Sequence, residues 1–162
     1  MKRQTAIVFL AILCLVGAAF ATTTNLVSTI DGAQANAGAG TGSSGTGSAT
    51  LTYDDVTNIL TWNITWSGLT GTETVAHFHG PAAAGVNAGV QVNFAAISGL
   101  SSPSIGSTTI TTTQAADLLN DLWYINIHTD VETGGEIRGQ ILVDSTVPVE
   151  EPTWAAIKSF YR

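Results

Sequence analysis

Three histidines, His77, His79 and His128, are the only imidazoles in the chain of 162 residues. His77 and His79 are separated by one residue. On a strand that spacing points both rings to one face and leaves Ala76 and Phe78 on the other. In Trp123-Tyr124-Ile125-Asn126-Ile127-His128 the apolar residues alternate, so Tyr124, Asn126 and His128 share the face opposite Trp123, Ile125 and Ile127. If the two strands meet, three imidazoles converge. Three neutral imidazoles suit zinc, copper or iron, with a coordination position left for water or a ligand. Asp130 and Glu132 follow His128, in reach to add a carboxylate or to orient a ring. The other reading is structural: each ring hydrogen-bonds a backbone carbonyl or a carboxylate and fixes the loop Gly80–Gly89. Both readings require the three rings to cluster.

Glu136, Arg138 and Gln140 also alternate, which predicts a structural ion pair of Glu136 with Arg138 on one strand face. No residues are expected to be catalytic. There is no G-x-S-x-G elbow, no serine placed with a histidine in a recognisable motif, and no glycine-rich phosphate loop between a strand and a helix. Asn63-Ile64-Thr65 is a glycosylation sequon in the middle of a strand.

The elements that must position these residues are strands. Candidates are Asn25–Asp31, Ala49–Tyr53, Ile59–Trp66, Thr72–His79, Gly89–Ala95, Ser107–Thr112, Leu122–His128 and Glu136–Val143. The second and third flank the turn residues Asp54-Asp55 and Thr57-Asn58 and predict a hairpin. One short helix is expected over Gln114–Asn120, capped by Thr113. Ala33–Ser48 is low-complexity Gly, Ala, Ser and Thr and reads as a flexible loop. Short strands at this spacing predict an all-β fold: a single antiparallel β-sandwich, Greek-key-like, with one short helix. Trp62, Ile64, Phe78, Val92, Ile125, Ile127, Ile137 and Ile141 are the core candidates.

Lys2 and Arg3, the uncharged stretch Ala6–Phe20 and Ala19-Phe20-Ala21 form the layout of a secretory signal peptide over residues 1–21, cleaved after Ala21. That stretch is shorter than the roughly 20 residues of a membrane span, so no span is expected in the mature form. The only cysteine, Cys14, lies within it. The mature chain then has no disulfide, thiolate ligand or cysteine nucleophile. Removal of Lys2 and Arg3 leaves 3 basic against 12 acidic residues. That balance excludes nucleic acid as a partner, since phosphates need a basic face. After the domain at 22–143, residues 144–152 read as a Pro/Glu linker. Residues 153–162 read as a short C-terminal helical tail with an aromatic side, either docked on the sheet or serving as a sorting signal.

Several segments resemble one family. Ala76-His77-Phe78-His79-Gly80-Pro81-Ala82 is similar to the AHxHGPA signature of the CHRD (chordin-type) domain. Tyr124-Ile125-Asn126-Ile127-His128-Thr129 resembles its Y-x-N-x-H-T strand. Gly134-Gly135-Glu136-Ile137-Arg138-Gly139-Gln140 resembles its GGEIRGQ ending, and Asp31-Gly32-Ala33-Gln34 its S-G-A-Q turn. The resemblance runs over roughly residues 25–143. It departs at the long Gly/Ser segment 36–48 and at Phe78, where a smaller aliphatic is usual. It implies an all-β extracellular domain of the kind found in exported bacterial proteins, with no known enzymatic activity. It carries the family's motif histidines onto His77, His79 and His128, and its Glu/Arg pair onto Glu136 and Arg138. The His-x-His strand is also similar to copper/zinc superoxide dismutases, but the chain lacks their cysteines and further histidines. The tail resembles Trp-x-x-Ile-Lys-x-x-Tyr-Arg endings of some exported bacterial proteins. The implied function is non-catalytic: binding or structural, secreted, periplasmic or at the cell surface, with a protein or surface polymer as partner. The alternative is a metal-binding protein that holds copper or zinc through the three histidines.

Overall fold

The structure, a computed structural model, describes residues 22–146. The expected signal peptide, the tail and most of the linker lie outside these residues. Nine strands form the frame: β1 (Thr23–Asp31), β2 (Thr46–Asp54), β3 (Ile59–Ser67), β4 (Glu73–His79), β5 (Val90–Val92), β6 (Ser104–Thr109), β7 (Tyr124–Thr129), β8 (Ile137–Gln140) and β9 (Leu142–Val143). Two helices join them, α1 (Ala95–Ser98) and α2 (Thr112–Leu119). All paired strands are antiparallel, and the all-β class is as the sequence predicts.

The strand order is β5-β4-β7-β8-β1-β2-β3-β6, with β9 also on β1. β8 meets β1 through the single pair Asp31–Arg138. The sheet curls there, and its two halves pack face to face as in a sandwich. Period two explains the packing. In β3, Leu60, Trp62, Ile64 and Trp66 are buried while the residues between them face outward. From the other half come Ala76, Phe78, Ile125, Ile127, Ile137 and Ile141. Trp62 meets Phe78 edge-on across the core, with ring centroids 5.4 Å apart. Each such side chain contributes roughly 1.5–3 kcal/mol by leaving water. Seven of the eight core candidates are buried; Val92, on the short edge strand β5, is partly buried against the cluster.

The β2–β3 hairpin forms as expected. The Asp54 carboxylate accepts from the Val56 and Thr57 N–H groups, and Asn58 takes the left-handed conformation (φ 56°) that closes the turn.

Three local expectations are corrected. The helix starts earlier, because Thr111 rather than Thr113 is its cap: the Thr111 hydroxyl accepts from Gln114 N–H while the Gln114 side chain accepts from Thr111 N–H. The strand expected over Gly89–Ala95 ends at Val92, and the chain turns into α1. The segment Ala33–Ser48 is not a free loop. Its end enters β2, and Thr41 and Ser43 donate to the Glu136 carbonyl and carboxylate at 2.8 and 2.6 Å.

Candidate functional site

β7 lies between β4 and β8, and its register fixes the site. His77 pairs with Asn126, His79 with Tyr124 and Val75 with His128, while Arg138 pairs with Asn126 from the other side. One face of the three strands thus carries His77 and His79, then Tyr124, Asn126 and His128, then Arg138 and Gln140. The opposite face is the core.

The sequence reading linked this polar face to the loop Gly80–Gly89 only through the histidine rings. In the structure the segment Gly80–Gly89 roofs it. The Ala82 carbonyl accepts from the Gln140 amide at 3.0 Å, and the Val86 carbonyl from Arg138 at 2.9 Å. Ala88 N–H donates to the Tyr124 hydroxyl at 3.0 Å. His79, Tyr124, Asn126, Arg138 and Gln140 are buried as a result, while His77 and His128 remain partly open.

The three histidines converge. Their ring centroids lie 5.3 Å (His77–His79), 5.3 Å (His77–His128) and 5.9 Å (His79–His128) apart. One nitrogen from each ring lies within 4.8 Å of the others. Donors sharing one ion at about 2.0–2.1 Å stand about 3.3–3.6 Å apart, so rotations closing the rings by about 1 Å would suffice.

Hydrogen bonds select the tautomers. A carbonyl only accepts, so His79 Nδ1 donates to Ala88 O at 2.9 Å and His128 Nδ1 donates to Thr133 O at 2.9 Å. A neutral ring protonated at Nδ1 holds its lone pair on Nε2. His79 Nε2 and His77 Nδ1 are buried with no hydrogen-bond partner. His128 Nε2 accepts from the Asn126 amide at 3.2 Å, and that amide also donates to Gly134 O at 3.1 Å. Gly135, at φ +115°, lets the chain pass here, since a Cβ would collide with the Asn126 amide. Backbone carbonyls thus hold two of the three rings, His79 and His128, in a cluster with one nitrogen of each ring within 4.8 Å of the others.

Electrostatics disfavour protonation of two of the rings. Burial, then the neighbouring His128 and His79, push the His77 ring down to about 4. Burial also lowers His79, with His128 and Arg138 adding to it against the Ala88 hydrogen bond.

Asp130 and Glu132 do not join the rings. The Asp130 carboxylate accepts from Thr72 N–H at 2.7 Å, and no carboxylate belongs to the cluster.

The expected Glu136–Arg138 ion pair is not formed. Glu136 is fully buried, and its carboxylate accepts from Ser43 Oγ (2.6 Å), Thr70 N–H (2.6 Å), Gly71 N–H (3.2 Å) and Thr129 Oγ1 (2.8 Å). Burial alone would raise its pKa. The four donors outweigh it and hold the carboxyl down to about 2. Arg138 reaches the other end of β7. Its guanidinium lies 3.5 Å from the Tyr124 ring centroid and donates to Val86 O and Asn87 Oδ1. Tyr124 in turn stacks on His79, with centroids 5.0 Å apart and planes 8° apart.

Sequence reasoning placed Tyr124 and Asn126 on the histidine face but gave them no role. It had no signal for the carbonyls of Ala88 and Thr133, since any residue type supplies one.

Comparison with curated proteins and with solved structures found no match. The family model of the CHRD domain matches residues 26–141. That span contains the roofed face, all three histidines, Glu136 and Arg138. The chain belongs to the CHRD domain family.

Proposed function

We propose that this CHRD domain is an exported, non-catalytic binding module, and that its polar pocket binds a transition-metal ion, copper or zinc, through His77, His79 and His128. One observation carries the reading: two buried imidazole nitrogens, His77 Nδ1 and His79 Nε2, have no hydrogen-bond partner, in a cluster whose donor atoms lie within 4.8 Å. An unpaired buried polar atom costs about 1–3 kcal/mol. An ion on the lone pairs removes that cost. The hydrogen bonds from His79 and His128 to Ala88 O and Thr133 O are the outer contacts that metal-bound imidazoles usually make. On binding, His128 would exchange its bond from Asn126 for the ion. Export rests on the signal-peptide layout of residues 1–21. Among the described residues no helix is long and apolar enough to cross a membrane.

The test is metal uptake by untagged, chelator-stripped protein, read by elemental analysis and calorimetric titration with copper and with zinc. One ion per chain is expected, lost in His79→Ala and in His128→Ala. No uptake of either metal would leave the three rings structural, and the module's partner would then be a protein or a surface polymer.

A further inference from the structure

Among the described residues, the pocket offers three imidazoles, and no carboxylate or thiolate joins them. Burying an ion there adds positive charge that no ligand neutralises, and the cost of burying charge rises steeply with its size. A second cation is already present. Arg138 is 2% exposed, and its hydrogen-bond partners, Val86 O, Asn87 Oδ1 and Gln140 Oε1, are all neutral. It stands one ring from the pocket, over Tyr124, which stacks on His79. The nearest acid along β8, Glu136, is held by Thr129 at the opposite end of β7, its oxygens engaged by four donors.

Resting on the metal reading above, we infer that the pocket selects copper in its monovalent state, Cu(I), over Cu(II) and Zn(II), and that the buried Arg138 guanidinium over Tyr124 enforces the choice. A monovalent ion adds half the charge of a divalent one beside a fixed cation. Cu(I) also accepts a low coordination number, which three imidazoles alone satisfy, whereas zinc on three imidazoles needs a water as its fourth ligand.

The experiment measures Cu(I) affinity under ascorbate, Cu(II) affinity in air and Zn(II) affinity, each against a competing chelator. The reference is the same copper couple in excess free imidazole, which supplies the donors without the protein's charge. The wild-type chain should favour Cu(I) over Cu(II) at least about tenfold more than free imidazole does, a difference of about 1.4 kcal/mol. Arg138→Gln should lose about that tenfold, and Arg138→Lys, which keeps the charge, should retain most of it. If neither variant folds by circular dichroism, the wild-type comparison with free imidazole decides alone. A wild-type preference no greater than that of free imidazole overturns the inference, as does an Arg138→Gln preference equal to wild type. Zinc bound more tightly than Cu(I) overturns this inference alone, and no uptake of copper in either state or of zinc overturns the metal reading and this inference with it.

Discussion

Two buried polar pockets sit at the two ends of β7, and they are built oppositely. At the Thr129 end, the Glu136 carboxylate receives four donors from three separate segments. At the Tyr124 end, Arg138 is satisfied by neutral acceptors, and beside it two buried imidazole nitrogens have no hydrogen-bond partner. A closed network holds segments together. A pocket with unpaired buried nitrogens carries their desolvation cost until a partner is supplied. The difference separates a charge that the fold fully satisfies from a polar pocket that it leaves partly unsatisfied.

Removing the closed network should have the largest effect. Glu136→Ala takes the acceptor from four donors and releases Ser43, Thr70 and Thr129 at once, for a loss of roughly 3–5 kcal/mol. Urea denaturation reads this directly, and a loss below about 1 kcal/mol would break the comparison. The open pocket should respond to its ligand instead. Metal at about one hundred times its dissociation constant should stabilise the wild type by about 2.7 kcal/mol, by mass action on the folded state. His79→Ala should abolish that gain, while its metal-free form unfolds at a denaturant midpoint much closer to wild type than that of Glu136→Ala.

Acid should separate the pockets in a single titration. The His77 ring is held down to about 4 in the fold and titrates near 6.5 when unfolded. The unfolded chain takes the proton first, so stability present above pH about 6.5 is lost as pH falls toward 4. Glu136, held down to about 2 against an ordinary 4.5, has the same sign in a lower window: its contribution is present above pH about 4.5 and lost toward 2. Denaturation midpoints of metal-free protein across this range should show two stages of loss. His77→Asn should flatten the upper stage and Glu136→Gln the lower. A wild-type profile level between pH 6.5 and 4 would contradict the account of the histidine pocket.

The smallest effect falls on Asn126. Asn126→Ala should cost about 1 kcal/mol, because Gly134 O loses its donor. Metal affinity should hold or rise a fewfold, since His128 Nε2 no longer has a hydrogen bond to give up. A large fall in affinity would make Asn126 part of the site rather than a placeholder in it.

Much of this was legible in the sequence because period two is a strong signal. It placed Phe78, Ile125 and Ile127 inside and the three histidines together on the other face of the same strands. It did not show how the loop Gly80–Gly89 covers that face. Ala82, Val86 and Ala88 roof the pocket with backbone groups, and backbone groups have no residue signature. The same limit hid the role of Ala33–Ser48: its small residues look unanchored until Thr41 and Ser43 meet Glu136 across 90 or more positions. The ion pair failed for a different reason. Alternation put Glu136 and Arg138 on one face, but alternation holds only within a strand, and Glu136 precedes β8, beside the irregular Gly135. Its carboxylate turns toward Thr129 instead of Arg138.

The central claim is that the unpaired imidazole nitrogens are metal ligands. X-ray absorption on protein loaded with one equivalent of copper or zinc tests it most directly. The account predicts a first shell with three imidazole nitrogens at about 2.0–2.1 Å, losing one nitrogen or the ion altogether in His79→Ala. A shell made of oxygens and unaffected by that substitution would place the ion on the acidic surface and contradict the account.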